Sequence, residues 1–193
     1  KKDVLISEPD EGIYDAINKG IQNCTGNIIG LLHSDDIFAD TEVLSDIANQ
    51  FKNNKIDVLY GNIEYVDRND PDKIIRKWNS KKFADKDFKK GWMPPHTSMF
   101  VRREKYVKYD TAFRISADYD FILKTLYVKK MRHKYFDRMI TKMRVGGASN
   151  ANLKQIIKKM SEDYRIIKKY KIGGLVCLLR KTLRKIPQFV IKR

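Results

Sequence analysis

The chain of 193 residues carries only two cysteines and no run of apolar residues long enough to cross a membrane. Cys24 and Cys177 make neither a metal-ligand spacing nor a disulfide framework. That excludes a zinc module and a disulfide-stapled secreted scaffold, and fits a reducing cytosol. A spanning helix needs about 18 or more consecutive apolar residues, and none is found although 42% of the chain is apolar. No secretory signal is visible, and a missing start would hide one. Internal repeats and low-complexity segments are also lacking. Acid is scarce in one place. From Ala151 to Arg193, thirteen Lys or Arg face two acids, Glu162 and Asp163, a net of +11 within a total of +16. The first 150 residues therefore hold only +5. A basic excess confined to a tail argues against a nucleic-acid binder, which needs a basic stripe with aromatic partners.

What is present is an alternation of strand-like and helix-like segments. Val4–Ile6 reads as a short strand and Ile13–Cys24 as a helix stopped by Thr25-Gly26. Ile28–His33 reads as the central buried strand, and Thr41–Phe51 as a helix with Val43, Leu44, Ile47 and Phe51 inward. Ile56–Tyr60 is a second strand. Ile63–Val66 and Lys73–Trp78 flank a turn-rich loop and read as a hairpin, followed by a strand at Ser98–Val101. Ala117–Lys129 is helical, with Tyr119, Ile122, Leu123 and Leu126 on its apolar side. This pattern predicts an α/β domain with a mostly parallel central sheet.

The most informative stretch is Asn27-Ile-Ile-Gly-Leu-Leu-His-Ser-Asp35-Asp36, an apolar run ending in two adjacent acids. Ligands of open α/β sheets bind beyond the carboxyl ends of strands. Two carboxylates there repel each other unless a cation or a donor-rich ligand lies between them. Hard oxygen ligands that leave room for waters and phosphates suit Mg²⁺ or Mn²⁺. A plain helix cap is the competing reading of Ser34-Asp35-Asp36.

Further segments favour the first reading. They are Asp15-Ala-Ile-Asn18-Lys19-Gly20, Gly91-Trp-Met-Pro-Pro-His96-Thr97, Ile115-Ser-Ala-Asp118-Tyr-Asp120 and Met143-Arg144-Val-Gly146-Gly147. In this order they resemble the bacterial family-2 glycosyltransferases of the GT-A fold, of the exopolysaccharide and lipopolysaccharide type, over roughly residues 7 to 150. The resemblance implies a nucleotide-diphospho-sugar transferase-like fold for residues 1–150, lacking its first strands. The chain opens at Lys1 without a methionine, which agrees with an N-terminally truncated domain.

The resemblance also implies roles. Asp36 stands where the family binds its divalent metal, and Asp35 would face the ribose or the sugar of the donor. Ser34 replaces the first acid of the family's Asp-x-Asp motif. Asp118 matches the catalytic base, with a carboxyl raised toward neutral pKa by its setting. Ala117 replaces the glutamate that often precedes the base. Asp15, Asn18 and Arg144 fall on the donor side, while Trp92, His96 and Asp120 fall on the acceptor side. For Asp118 a plain first-turn helix acid is the alternative, for Trp92 a core plug, and for Arg144 a surface charge. Asp120 has two further readings, orienting a neighbour or capping the helix.

Residues 151–193 read as a basic amphipathic helical tail. Leu153, Ile156, Ile157, Met160, Tyr164 and Ile167 fall at helical spacing, a helix expected to pack on the domain. Residues 174–191 follow the Gly173-Gly174 break, which should separate them from the core, and read as a segment adsorbing to anionic membrane. The activity implied is inverting, Mg²⁺- or Mn²⁺-dependent transfer of a sugar from a nucleotide-sugar, a UDP-sugar first, to a glycan or lipid-linked acceptor. Its place would be the inner face of a bacterial plasma membrane, peripheral and cytoplasmic, with no nucleic acid involved. The alternative is an inactive fragment or a sugar-nucleotide or glycan binding module.

Overall fold

The structure is a computed structural model that describes residues 3–145 and 153–184. Six strands are described: β1 Ile28–Gly30, β2 Asp36–Phe38, β3 Val58–Val66, β4 Ile74–Trp78, β5 Met99–Arg102 and β6 His133–Arg144. They form one sheet in the order β1-β5-β3-β6-β2, with β4 paired to the far part of β3. The helices are α1 Ile13–Asn23, α2 Val43–Asn53, α3 Asp85–Lys89, α4 Ala117–Ile122, α5 Leu153–Lys169 and α6 Leu175–Leu183. The fold class is α/β, as the alternation predicts.

The expected mostly parallel sheet is corrected. Only β3 and β6 pair in parallel; every other pairing is antiparallel. The cause is the insertion of β5. Strands β1 and β3 run in the same direction, as their helical crossover dictates, but β5 lies antiparallel between them. Ile28–Gly30 is accordingly an edge strand instead of the central one. Residues 4 to 6 form no strand. Leu44 is exposed, while Val43, Ile47 and Phe51 pack under the sheet with Leu59, Phe100 and Ile140.

The larger apolar core lies on the other side. It gathers Val58, Tyr60 and Val101 from the sheet with Tyr119, Ile122, Leu123 and Leu126 of the α4 region. The expected apolar side of that helix is correct, and its last part, Leu123–Val128, is π-helical. The same core takes in Ile166 and Ile167 of α5 and Cys177 and Leu178 of α6. Residues 153–184 are thus built into the molecule.

Two expectations about the tail change. On α5 the inward face includes Glu162 and Asp163, while Ile156, Ile157 and Tyr164 are exposed. Acids replace apolar residues there because each has a fixed partner, described below. The Gly173-Gly174 break does not detach α6, since Lys181 and Cys177 lie buried against the preceding domain. Gly91 shows how close the approach is. Its φ of 74° favours glycine, and a Cβ there would stand 2.6 Å from the Lys181 backbone. Residues 185–191 of the expected membrane segment lie outside the described residues.

Candidate active site

A cleft of about 770 Å³ opens over the far ends of β3 and β6. Ile63 and Tyr65 of β3, Met143 of β6 and Trp78 at the end of β4 form its floor. Trp92 and His96 enter from connecting segments and Asp118 from α4, and Lys159, Lys181 and Arg184 form the wall given by α5 and α6. Three of the sequence-predicted residues, Trp92, His96 and Asp118, therefore share one cavity.

Asp118 lies in the first turn of α4. The backbone leading into this turn must find acceptors for its N–H groups. Glu162 of α5 supplies them, accepting from the N–H of Arg114 at 3.1 Å, Ile115 at 2.8 Å and Ser116 at 2.9 Å. The expected upward shift of the Asp118 carboxyl is not found. Burial pushes it up, but the cationic form that His96 takes in acid, with the charges of Lys159 and Lys181, outweighs burial and holds it below the ordinary carboxylate value. Asp118 is thus ionised at neutral pH in the free protein.

His96 sits in a 3-10 turn, His96–Ser98, behind Pro94 and Pro95. Its Nε2 lies 3.4 Å from Nε2 of His33, so one ring donates an N–H to the other. Burial lowers its pKa; the Asp118 charge opposes this only in part, and His33 and Lys159 add to it. Neutral His96 is therefore available as a hydrogen-bonding group beside Asp118.

Asp36 opens β2 instead of ending β1, and pairs in register with Met143 of the cleft floor. Its backbone N–H donates to His33 carbonyl oxygen at 2.9 Å. The carboxylate is buried and its Oδ2 has no hydrogen-bond partner. Burial raises its pKa, and Asp35 adds to the rise. Asp35 is half exposed and lies 3.8 Å from Arg68. A buried carboxylate oxygen without a partner is costly and suits a cation. Among the described residues no group of three or more His, Cys, Asp or Glu side chains forms a metal cage. The residues present therefore fit Mg²⁺ or Mn²⁺ only in the manner in which such ions keep waters and substrate phosphates as ligands.

Four other expected site residues are placed elsewhere. Asn18 is buried and both ends of its amide bind the Tyr109 backbone, at 3.0 and 2.9 Å, so it fixes α1 and does not line the cleft. Asp15 is ion-paired to Lys19 at 3.4 Å, beside a separate small cavity near Arg114. Asp120 is fully buried away from the cleft, bound by Lys169 at 2.9 Å, Tyr170 at 2.7 Å and Lys124 at 3.2 Å. It holds α4 to α5 and leaves the acceptor side. Arg144 follows Met143 on β6, so strand alternation turns it to the opposite face from the cleft floor; its Nε is buried without a partner. Gly146 and Gly147 lie outside the described residues. Trp92 is both things expected of it: its ring packs with Tyr60, Phe83 and Phe88, and it also lines the cleft.

Sequence reasoning missed His33 as a partner of His96, Glu162 as the clamp on the α4 entry, and the Lys159, Lys181 and Arg184 wall. One signal was available. Glu162 and Asp163 are the only acids in the last 43 residues, from Ala151 to Arg193, and adjacent acids in a lysine-rich helix mark specific partners.

Comparison with known proteins bears on the family of the chain. Residues 4–110 match the model of the glycosyl transferase family 2. An uncharacterized glycosyltransferase of Methanocaldococcus jannaschii is 26% identical over 157 residues, covering 78% of this chain and 53% of the relative. The PGL/p-HBAD biosynthesis glycosyltransferase of Mycobacterium bovis is 23% identical over 203 residues, covering 98% of this chain and 72% of that protein. The chain thus spans about half of the first relative and under three quarters of the second. The crystal structure of S. aureus TarS aligns with 80% of this chain and 29% of its own, at a TM-score of 0.46 and 14% identity. A family match over more than half of its length shows that the chain belongs to glycosyl transferase family 2.

Proposed function

We propose that this chain carries the metal-binding and acceptor-side portion of an inverting glycosyltransferase of the GT-A type. It would move a sugar from a nucleotide-sugar, a UDP-sugar first, to a glycan or lipid-linked acceptor in cell-surface polysaccharide synthesis. The observation that carries this reading is the cleft that joins Asp118, His96 and Trp92, with the buried Asp36 carboxylate, its Oδ2 unpartnered, on the strand paired to Met143 of the floor. Asp118 would accept the proton of the acceptor hydroxyl as that oxygen attacks the anomeric carbon from the face opposite the departing diphosphate. His96 would hydrogen-bond a sugar hydroxyl, and Trp92, where it lines the cleft, would contact the sugar. Asp36, with Asp35 beside it, would hold Mg²⁺ or Mn²⁺, which when bound supplies charge neutralisation for the leaving diphosphate.

The test is donor binding. Asp36→Asn should abolish Mn²⁺-dependent UDP binding, measured by calorimetry, while circular dichroism stays unchanged. A folded variant that binds UDP and Mn²⁺ as the parent does would remove Asp36 from the metal site.

A peripheral position at the inner face of the plasma membrane belongs to the same reading. No helix among the described residues is long and apolar enough to span a bilayer. The outward face of α6, however, exposes Leu175, Val176, Leu179 and Leu183 next to Arg180. Such a face suits insertion at an anionic lipid surface. Glu in place of Leu179 and Leu183 should prevent co-sedimentation with anionic vesicles, and equal pelleting of variant and parent would end the membrane reading.

A further inference from the structure

We propose that Lys159, Lys181 and Arg184 form an anion subsite, and that it takes a phosphate or diphosphate carried by the acceptor beside the hydroxyl to be glycosylated. The assignment to the acceptor rests on the transferase reading; the subsite itself does not.

The cleft is poor in acid: among the described residues Asp118 is the one acid that lines it. On the α5–α6 wall one buried acid, Asp163, serves the whole group. Lys181 binds its Oδ2 at 2.6 Å, which leaves Lys159 at 4.0 Å from Oδ1 and donating to Ser116 Oγ at 3.3 Å. Arg184 has no acid within ion-pair reach among the described residues. Cations gathered along one cleft wall repel one another, and an anion among them removes the repulsion while gaining charge-assisted hydrogen bonds.

Lys181 is 4% exposed, lies 3.6 Å from the Tyr119 ring and has its backbone against Gly91. A fixed ammonium is a binding group that pays little ordering entropy, unlike a surface lysine.

Position decides which substrate brings the anion. The residue proposed to hold the donor's metal, Asp36, is not among those lining the cleft and meets it only through its neighbour Met143. Asp118 stands among the cations and must touch the acceptor hydroxyl. An anion beside Asp118 therefore belongs to the acceptor molecule. Its arrival would also have a chemical effect: a dianion on Lys159 and Lys181 offsets the field that keeps the Asp118 carboxyl low, and so strengthens it as a base.

The test uses the intact chain and calorimetry with glucose 1-phosphate, methyl glucoside, and a short prenyl diphosphate in mixed micelles. Phosphorylated ligands should bind at least ~10-fold more tightly than the neutral glycoside, as expected of one charge-assisted contact. Lys159→Met and Arg184→Ala should each remove about that factor and leave UDP·Mn²⁺ affinity within two-fold. Tighter binding of the prenyl diphosphate identifies a lipid source for the phosphate, and tighter binding of the sugar phosphate a soluble one. Equal binding of neutral and phosphorylated ligands overturns the subsite. Loss of UDP·Mn²⁺ affinity in these variants, with glucose 1-phosphate binding intact, would assign the cations to the donor instead. Failure of the transferase reading is seen separately, in the Asp36→Asn experiment.

Discussion

Asp118→Asn should cut sugar transfer by at least ~10²-fold, the usual contribution of a positioned general base. The variant should fold and should bind UDP with Mn²⁺ as the parent does. Asp118 accepts one described hydrogen bond, from the Tyr119 N–H at 2.8 Å, which an asparagine oxygen can also accept. What asparagine cannot do is take a proton. The control is the acid two residues on. Asp120→Asn would weaken the buried ion pairs to Lys169 and Lys124, so its damage should appear in thermal unfolding rather than in the chemical step. The pH profile adds a second readout. Since His96, Lys159 and Lys181 hold the Asp118 carboxyl low against the push of burial, the acidic limb of kcat/KM should lie below the ordinary aspartate range. Removing the Lys159 charge should move that limb upward. A turnover number unchanged in Asp118→Asn, or a limb that stays fixed in Lys159→Met, would take Asp118 out of the role of base.

Deletion of residues 174–193 should destroy the folded state. Cys177 and Leu178 are members of the main core, and losing a buried aliphatic side chain of this size costs ~2–5 kcal/mol. Loss of Lys181 strands Asp163, 5% exposed, with only the distant Lys159 amine near it. Breaking a buried pair from one side costs ~3–5 kcal/mol. Together these approach the whole stability of a typical domain, ~5–15 kcal/mol. Calorimetric unfolding of the truncated chain should show no cooperative transition at the parent's temperature. An unaltered transition would mean that α6 rests on the surface without holding it.

The α1, α2 and α4 helices, the β3–β4 hairpin and β5 were legible because each follows one hydrophobic period bounded by turn residues. β6 was not. His133–Arg144 mixes basic, aromatic and thioether side chains, and only Ile140 and Thr141 are buried, so no clean alternation announces its twelve residues. Without β6 the pairing of β2 could not be foreseen, and Asp36 was read as ending one strand when it begins the next. The motifs singled out Asp118, His96 and Trp92, which the structure gathers in one cleft, because each stands in a short run with a distinctive composition. Asn18 and Asp120 misled for a shared reason. A buried polar side chain tying two segments together leaves the same trace in sequence as one that binds a ligand. The cationic wall was hidden by its own composition, because lysines on a helix ordinarily mark a solvated face.

The clamp of Glu162 on the entry to α4 also sets an order of events at the ribosome. The Ser116 N–H must wait 46 residues for its acceptor, and Val58 of β3 pairs with His133 of β6, 75 positions later. At synthesis rates of ~5–20 residues per second, these gaps last ~2–15 s. For that interval the nascent chain holds β3 with its β6-facing edge unpaired, an invitation to pair with other chains. The turn bearing Asp118 acquires its clamp only after α5 has emerged, so the cleft around it takes shape well after its own residues are made.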